Sequence, residues 1–331
     1  MTSASLAGTR SPAASRERRR RRLRILMFLS PWLIGFAFFF AYPLLATFYF
    51  SFFRYDLFTL EPVGLDNWKF FWTDADAHQA LLNTLWLVAV MVPLRVLFGL
   101  GIAQLLTHVK RGGGLLRAIF YLPYLLPPVA GAVAFVFLLN PATGPINSLI
   151  DGVLLGPLNS VLGTHWTAPD WFNDPSWSKP GLTLLALWSV GDVMIILLAA
   201  LLDVPKSLYE AASIDGAGAW QRFRRITLPT VQPVLMFAAV TGVIQTLQYF
   251  TQAIVAGKVA SGQTDLPGQV LLPGYPNGST LTFPQWLNDE GFRQFNMGYA
   301  SVLSIILFAI SMFFTLFLLR SFSAFGEDEA S

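Results

Sequence analysis

The sequence has no cysteine and few charged residues. Of its 331 residues, 12% are Asp, Glu, Lys or Arg, whereas soluble domains average about 25%. Without cysteine the chain can form neither disulfides nor thiolate metal sites. Its three histidines, His78, His108 and His165, show no metal-ligand spacing and support no nucleophilic triad. The composition therefore argues against both a soluble domain and a metal centre.

A phosphate-binding loop is also missing. Such a loop reads G-x-x-x-x-G-K-[ST], and its backbone amides cradle the phosphates. The one Gly-Lys pair, Gly257-Lys258, is followed by Val259 and lacks the earlier glycine. We expect this chain to hydrolyse no ATP and to hold no cofactor, so any energy must come from a partner.

Long apolar runs are what the sequence has instead, and 54% of its residues are hydrophobic. Each run reaches the ~20 residues that cross a bilayer as a helix, and lipid tolerates only helices or closed barrels. We predict an all-α integral membrane protein whose transmembrane domain is 25–322. Its six spans are expected at about 25–53, 81–107, 118–140, 181–202, 230–256 and 297–319.

Lys and Arg give the orientation. If the N-terminus is cytoplasmic, inside segments hold sixteen of them and outside loops five, which is the bias that sets topology. The basic tail 1–24, expected to be disordered, and the acidic tail 323–331 are then both cytoplasmic. A tail of this kind beside a span favours a membrane anchor over nucleic-acid binding. We expect a multi-pass protein of the cytoplasmic (inner) membrane.

The cytoplasmic segment 203–229 interrupts the apolar pattern between the fourth and fifth spans. Ser207 and Glu210 fit a capping box at a helix start, and Gly216 after Asp215 fits a helix end. A second helix is expected from Ala219 to just before the proline at 229, because proline disfavours helix in the preceding residue. Such a helix-turn-helix cannot bury its own apolar side chains, so we expect it to lie on the spans or on another protein.

The same segment carries a motif. Glu210-Ala211-Ala212, Gly216 and Ile226-x-Leu228-Pro229 resemble the EAA loop, E-A-A-x3-G-x9-I-x-L-P, of permease subunits of binding-protein-dependent ABC importers. Flanking sequences such as FYLPYLLPPVAGAV (120–133) and MGYASVLSIILF (297–308) resemble permeases of sugar importers of the maltose/glycerol-3-phosphate type. Within that group they resemble the branch formed by the first permease subunit. The resemblance covers about 25–322. Loop 257–296 departs from it, because it is expanded and lacks the usual Gly-Gly-Pro.

The resemblance implies a membrane-spanning permease subunit of an ATP-driven carbohydrate importer. Implied partners are a second homologous permease, an ABC ATPase dimer that holds ATP and Mg, and an extracytoplasmic solute-binding protein, with a sugar or polyol as substrate. The EAA loop would dock in a cleft of the ATPase, with Gly216 at the turn and Glu210 meeting a basic group. Alternatively, Glu210 only caps its helix. The implied coupling residues are Glu210, Ala211, Ala212, Asp215, Gly216, Ile226, Leu228 and Pro229.

Polar residues inside the spans are candidates for the substrate path, because each is costly in lipid. Thr241, Gln245, Gln248 and Gln252 recur every three or four residues and would share one face of the fifth span. Their side chains suit sugar hydroxyls, and Tyr249 could stack on a sugar ring. The alternative is that they hydrogen-bond between helices.

Two charged residues, Arg95 and Asp192, also lie inside spans. Their expected depths differ by about 5 Å, which an arginine side chain can reach across, so we predict that they pair. They could mark a charged substrate or a structural lock. A secondary transporter driven by an ion gradient is the alternative function, and it should show paired charges along the path and no ATPase-docking loop.

Overall fold

The computed structural model describes the backbone of residues 12–262 and 273–327, and side chains from residue 23 to residue 321 outside that gap. The end of the predicted acidic tail, 328–331, and the middle of the expanded loop 257–296 lie outside the described residues. Helices account for most of the described residues. They are α1 Pro12–Phe36, α2 Tyr42–Phe50, α3 Asp66–Phe71, α4 Ala75–Thr107, α5 Gly113–Leu125, α6 Pro128–Leu138, α7 Pro145–Leu149, α8 Gly156–Leu162, α9 Pro175–Trp188, α10 Gly191–Asp203, α11 Lys206–Ile214, α12 Ala219–Arg222, α13 Leu228–Leu247, α14 Thr251–Ala260, α15 Phe283–Asn288 and α16 Met297–Glu327.

Four continuous helical stretches are long and apolar enough to cross a membrane. They are Leu23–Phe50, Ala75–Thr107, Ala219–Leu247 and Met297–Ser321. Two further pairs pass the same test only as bent units: α5 with α6, bent by 102°, and α9 with α10, bent by 47°. The described chain therefore has four to six candidate spans, depending on whether each bent pair counts as one.

The ends of several elements differ from the sequence prediction. Residues 12–24 were expected to be disordered, but they form the beginning of α1. The all-α prediction misses a small antiparallel hairpin, β1 Phe53–Tyr55 with β2 Leu60–Pro62. Its turn is stabilised by Asp56, whose Oδ1 accepts hydrogen bonds from the backbone N–H groups of Phe58 and Thr59. A short polar side chain at the turn thus stabilises this hairpin. Its strands are too short to show the alternating apolar pattern by which a strand is predicted from sequence.

Helix α4 starts at Ala75 rather than near 81 because a buried aspartate caps it. Asp74 Oδ1 accepts from the N–H groups of Asp76 and Ala77 at 3.0 Å, the usual N-cap arrangement. Its Oδ2 accepts from Trp286 Nε1 at 2.8 Å and from the Tyr299 hydroxyl at 2.6 Å. The cap therefore also joins α4 to α15 and α16. Burial raises the pKa of the neighbouring Glu290 carboxyl, and a hydrogen bond from Asn296 opposes that shift.

The central element is α4, which packs against α9, α10 and α13. On one half its side chains Leu87 and Met91 join a cluster with α6, α9 and α14. On the other half, residues from Leu100 to Leu106 join α10 and α13, with Met194 and Leu197 fully buried. Between these two apolar clusters lie the polar residues of the candidate site.

Candidate functional site

A cavity of about 340 Å³ lies where three helices are interrupted. The interruptions fall between α5 and α6, between α9 and α10, and between α13 and α14. Residues at or within a few positions of each interruption line the cavity. The lining residues are Met91, Arg95, Pro123, Tyr124, Leu126, Pro128, Gly131, Leu185, Ala186, Trp188, Ser189, Gln245, Thr246, Gln248, Tyr249 and Gln252.

The first interruption corrects the prediction of one continuous helix over 118–140. It occurs at Leu126, which has φ −71° and ψ 140° and precedes Pro127-Pro128. Proline disfavours the helical conformation in the residue before it, and the two successive prolines here end α5 and start α6 in a new direction. The prolines were visible in the sequence, and their consequence for this span was not predicted.

The second interruption divides the predicted span 181–202 at Ser189 and Val190. A β-carbon on Gly191, the first residue of α10, would lie 2.8 Å from Tyr121 Cα and 2.9 Å from Phe120 O. Only glycine allows the start of α10 to approach α5 this closely. The third interruption, at Gln248–Phe250 in the predicted span 230–256, contains neither proline nor glycine. Nothing in the local sequence signals it.

These breaks matter chemically because a helix end leaves backbone N–H and C=O groups without intrahelical partners. In membrane transporters such broken helices are found where backbone lines a protected cavity, and the freed groups contact substrate or ions.

The four polar residues predicted to share one helical face are separated by the third break. Gln245, Gln248 and Gln252 line the cavity. Thr241 does not; its hydroxyl donates to the Phe237 carbonyl of its own helix at 2.7 Å. Tyr249 also lines the cavity, and its buried hydroxyl has no partner among the described residues. The aromatic side chains of Tyr124 and Trp188 also line the cavity. Neither was predicted from the sequence, although Tyr124 lies in the proline-rich segment 120–133.

Arg95 and Asp192 lie together in the structure, with Arg95 Nη2 2.9 Å from Asp192 Oδ1. Both side chains are nearly buried, at 12% and 16% exposed. Arg95 Nη1 also donates to Gln245 Oε1 at 3.2 Å. One guanidinium on α4 therefore binds α10 and α13 at once. Arg95 itself lines the cavity and Asp192 does not.

The segment predicted as a helix-turn-helix folds as α11, a turn, and α12. Helix α11 ends at Ile214, and Gly216 has φ 78°, a left-handed conformation that favours glycine. The predicted capping box does not form. The N-cap is Pro205, with no side-chain cap, so Glu210 does not cap its helix. Instead Gln221 Oε1 accepts from the Gly218 N–H at 3.0 Å, at the start of α12.

The second helix of this segment does not end before Pro229, as the sequence predicted. A π-turn at Phe223–Thr227 joins α12 to α13 without a break. In the widened turn Leu228 N–H bonds to Phe223 O, five residues back. Such a π-turn lets the helix pass a residue that lacks the backbone donor. Helices α12 and α13 therefore form one continuous helix, Ala219–Leu247.

The surface of this segment exposes several large apolar side chains. Ile214 is 87% exposed, Trp220 70% and Leu208 46%. Tyr209 faces the other way, and its hydroxyl lies 2.8 Å from Thr227 Oγ1. Glu210 is exposed, with no hydrogen bond or ion pair to its side chain within the described chain. Of the other predicted coupling residues, Ala211 and Asp215 are exposed, Ala212 and Ile226 are half-buried, and Leu228 and Pro229 begin α13.

Comparison with known proteins identifies similar chains along almost the whole length. The family model described as "Binding-protein-dependent transport system inner membrane component" matches residues 95–324. The "Probable ABC transporter permease protein YesP" of Bacillus subtilis is 34% identical over 321 residues, 96% of each chain. The "Lactose transport system permease protein LacF" of Rhizobium radiobacter is 30% identical over 284 residues, 85% of this chain and 88% of its own.

A solved structure has the same fold. It is the crystal structure of a bacterial ABC transporter involved in the import of the acidic polysaccharide alginate, and it matches with a TM-score of 0.73 at 21% identity. The match covers 94% of this chain and 99% of the other. This likeness shows that the two chains share a fold.

Proposed function

The chain belongs to the family of binding-protein-dependent transport system inner membrane components, and we propose that it is the permease subunit of an ATP-driven carbohydrate importer. In this proposal the two bent pairs each count as one span, which gives six. The loop 203–229 and both termini lie in the cytoplasm, and the protein resides in the inner membrane. ATP and Mg are held by a partner ATPase.

The proposed partners are a second homologous permease, an ATPase dimer and an extracytoplasmic solute-binding protein. The family's own description names a binding protein. The exposed apolar side chains of the loop support an ATPase contact, because Ile214 and Trp220 lie among charged residues and need a partner surface. The alternative of an ion-gradient-driven transporter is not favoured by the family membership.

The proposed substrate is a sugar or a related polyol that passes through the cavity. Amide side chains at Gln245, Gln248 and Gln252 can both donate and accept hydrogen bonds, as can sugar hydroxyls. Tyr249 contributes a buried hydroxyl that has no partner within the described part of the chain. The volume of about 340 Å³ lies within the usual range of small-molecule sites, roughly 300–1,000 Å³.

One observation carries the proposal: Arg95 binds both helices that lead from the cavity to the loop. Helix α10, which holds Asp192, ends at Asp203, just before α11. Helix α13, which holds Gln245, is continuous with α12 through the π-turn. If an ATPase moved the two arms of the loop apart, one of the two contacts of Arg95 would break and the cavity wall would change. Arg95 thus acts as a positioning residue between substrate site and loop.

Purification of the chain with its operon neighbours tests this function. We expect an ATPase to copurify, and substrate-loaded binding protein to stimulate ATP-driven uptake in proteoliposomes. Replacing residues 208–221 by a flexible linker should release the ATPase and leave the two permease subunits associated. An ATPase that stays bound to the linker variant, or uptake that needs no ATP, would contradict the proposal.

A further inference from the structure

The connection between α6 and α9 contains an additional helix. Helix α7, a π-turn at Ile150–Leu155 and α8 join without a break into one helix, here called the loop helix (residues 145–162). The stretch from 140 to 169 contains a single charged residue, Asp151. At 18 residues the loop helix is long enough to form a surface, but both of its ends return to spans on the same side of the membrane.

The polar face of the loop helix points into the protein. Asn147 accepts from Trp171 Nε1 at 2.8 Å and donates to the Pro169 carbonyl. Asp151 Oδ1 accepts from the Ala168 N–H at 2.6 Å. Asn159 donates to the Trp166 carbonyl and accepts from the Trp166 N–H. These three side chains satisfy the backbone of the segment that returns to α9.

The apolar face, in contrast, is exposed. Six large side chains on it range from 41% to 81% exposed, and these are Leu149, Val153, Leu154, Leu158, Val161 and Leu162. Leu154, Leu158 and Leu162 form one row at every fourth position, and Leu149, Val153 and Val161 form a second row that is interrupted at Pro157. The π-turn has more residues per turn than an α-helix, which reduces the sideways drift of rows with this spacing.

Beside the apolar rows runs a row of small residues, also spaced by four: Ser148, Gly152, Gly156 and Ser160. All four are exposed. The exposed surface of the loop helix therefore has two sides. One side carries the large apolar side chains, and the other carries the serines and glycines. A boundary between lipid and water is the environment that suits both sides together.

We propose that the loop helix lies in the lipid–water interface of the membrane, on the side opposite the segment 203–229, here called the coupling loop, with its apolar rows in the acyl region. Phe137, near the end of the preceding helix α6, is likewise an exposed large apolar residue, at 62%. Trp166, in the return segment, is 54% exposed, and tryptophan is enriched at this depth of a bilayer. The proposal rests on the six-span topology proposed above.

A lipid surface fits this face better than a protein that binds and leaves. A solute-binding protein dissociates in each cycle, and six large apolar side chains would then be left in water, which soluble surfaces avoid. The face also offers no charged residue that could orient a protein partner. Lipid, in contrast, covers the apolar rows at every stage of transport.

Nitroxide labels at single cysteines test the proposal directly, because the chain has no native cysteine. The variants are Val153→Cys and Val161→Cys on the apolar rows. The matched controls are Ser148→Cys and Ser160→Cys, on the row of small residues of the same helix. Each is measured in the assembled importer, in vesicles of phosphatidylethanolamine and phosphatidylglycerol, by the accessibility of the label to oxygen and to a water-soluble nickel chelate.

We expect an oxygen-to-nickel accessibility ratio several-fold higher at Val153 and Val161 than at the two serines, at a depth of about 5–10 Å. Equal ratios at all four positions would overturn the proposal. So would labels at 153 and 161 shielded from both reagents, or shielded only after binding protein is added, because these results indicate a protein contact.

A label at Ala217→Cys in the coupling loop separates this proposal from the proposed function. Nickel chelate added only outside sealed vesicles should reach the serine labels or the Ala217 label, but not both. If it reaches both from one side, the six-span topology fails and the proposed function with it. If the sides differ and the valine labels lie in water, the interfacial position alone is wrong.

Discussion

The cavity and the coupling loop both contain side chains that do not match their surroundings, but in opposite ways. In the cavity, polar groups such as Arg95 and Gln245 lie between apolar clusters. In the loop, apolar groups such as Ile214 and Trp220 stand exposed among charged residues. In the cavity, the guanidinium of Arg95 is held within the chain by Asp192 and Gln245, whereas the Tyr249 hydroxyl has no partner among the described residues. In the loop, the chain itself leaves the large apolar side chains largely uncovered.

Mutations in the two regions should therefore have different consequences. A change in the cavity should be felt by the isolated chain, because it breaks a contact the chain makes with itself. A change to an exposed side chain of the loop should hardly affect the stability of the isolated chain and should appear only when the ATPase is present. Measuring both the stability of the chain and its ATPase binding for each variant tests whether the distinction holds.

The largest effect is expected at the buried ion pair. Arg95→Gln or Asp192→Asn leaves one charge without its partner in a low-dielectric site, which costs about 3–5 kcal/mol. Either variant should lower the thermal unfolding temperature of the purified chain sharply. The double variant should recover much of the loss, because it leaves no unpaired charge. A double variant as unstable as the sum of the two single variants would show that the pair is not coupled.

The next effect is expected at the turn of the loop. Gly216 has φ 78°, and a β-carbon there would meet nothing within 4 Å. Gly216→Val forces a branched residue into the left-handed region, at a cost of roughly 1–2 kcal/mol, and should reduce ATPase binding at least tenfold. Gly112→Val is the matched control, since Gly112 has φ 77° and equally open surroundings. An equal loss of ATPase binding in both variants would remove the special role of the EAA turn.

Glu210→Gln should give a smaller effect of the same kind. Because Glu210 does not cap α11, the stability of the chain should not change. If Glu210 meets a basic group of the ATPase, losing its charge should weaken ATPase binding by about 1–2 kcal/mol, or roughly tenfold. Unchanged ATPase binding and uptake in this variant would exclude the proposed charge contact.

The smallest effect is expected for the cavity glutamines. Gln248→Ala removes one hydrogen-bonding group from the cavity and should raise the KM for uptake about five- to tenfold, as expected for a net loss of about 1–1.5 kcal/mol. Thr241→Ala is the control, because Thr241 bonds to its own helix and does not line the cavity. A similar rise in KM for both variants would place the substrate path elsewhere.

The sequence predicted the apolar runs, the place of the turn at Gly216 and the partners Arg95 and Asp192, because hydropathy, glycine and isolated charges are local signals. It did not predict how the spans break. The break at Leu126 follows from two prolines, so that signal was present but not used. The break at Gln248–Phe250 has no proline or glycine, so it depends on packing between helices distant in sequence.

The same limit explains the errors in the loop. A capping box at Ser207 and Glu210 and a helix end before Pro229 both follow from local rules. The structure places the cap at Pro205 and carries the helix past Pro229 on a π-turn, and packing of Phe223 and Ile226 against the cluster that contains Leu201 and Val231 favours that continuation. Tertiary packing thus overrides two sound local expectations.

Reconstitution with and without the ATPase tests the central claim most directly. The purified permease pair is placed in liposomes with binding protein and radiolabelled sugars, and uptake is measured with and without the ATPase subunits and ATP. We expect uptake only when ATPase, ATP and binding protein are all present. Uptake by the permease pair alone, driven by a proton or sodium gradient, would contradict it.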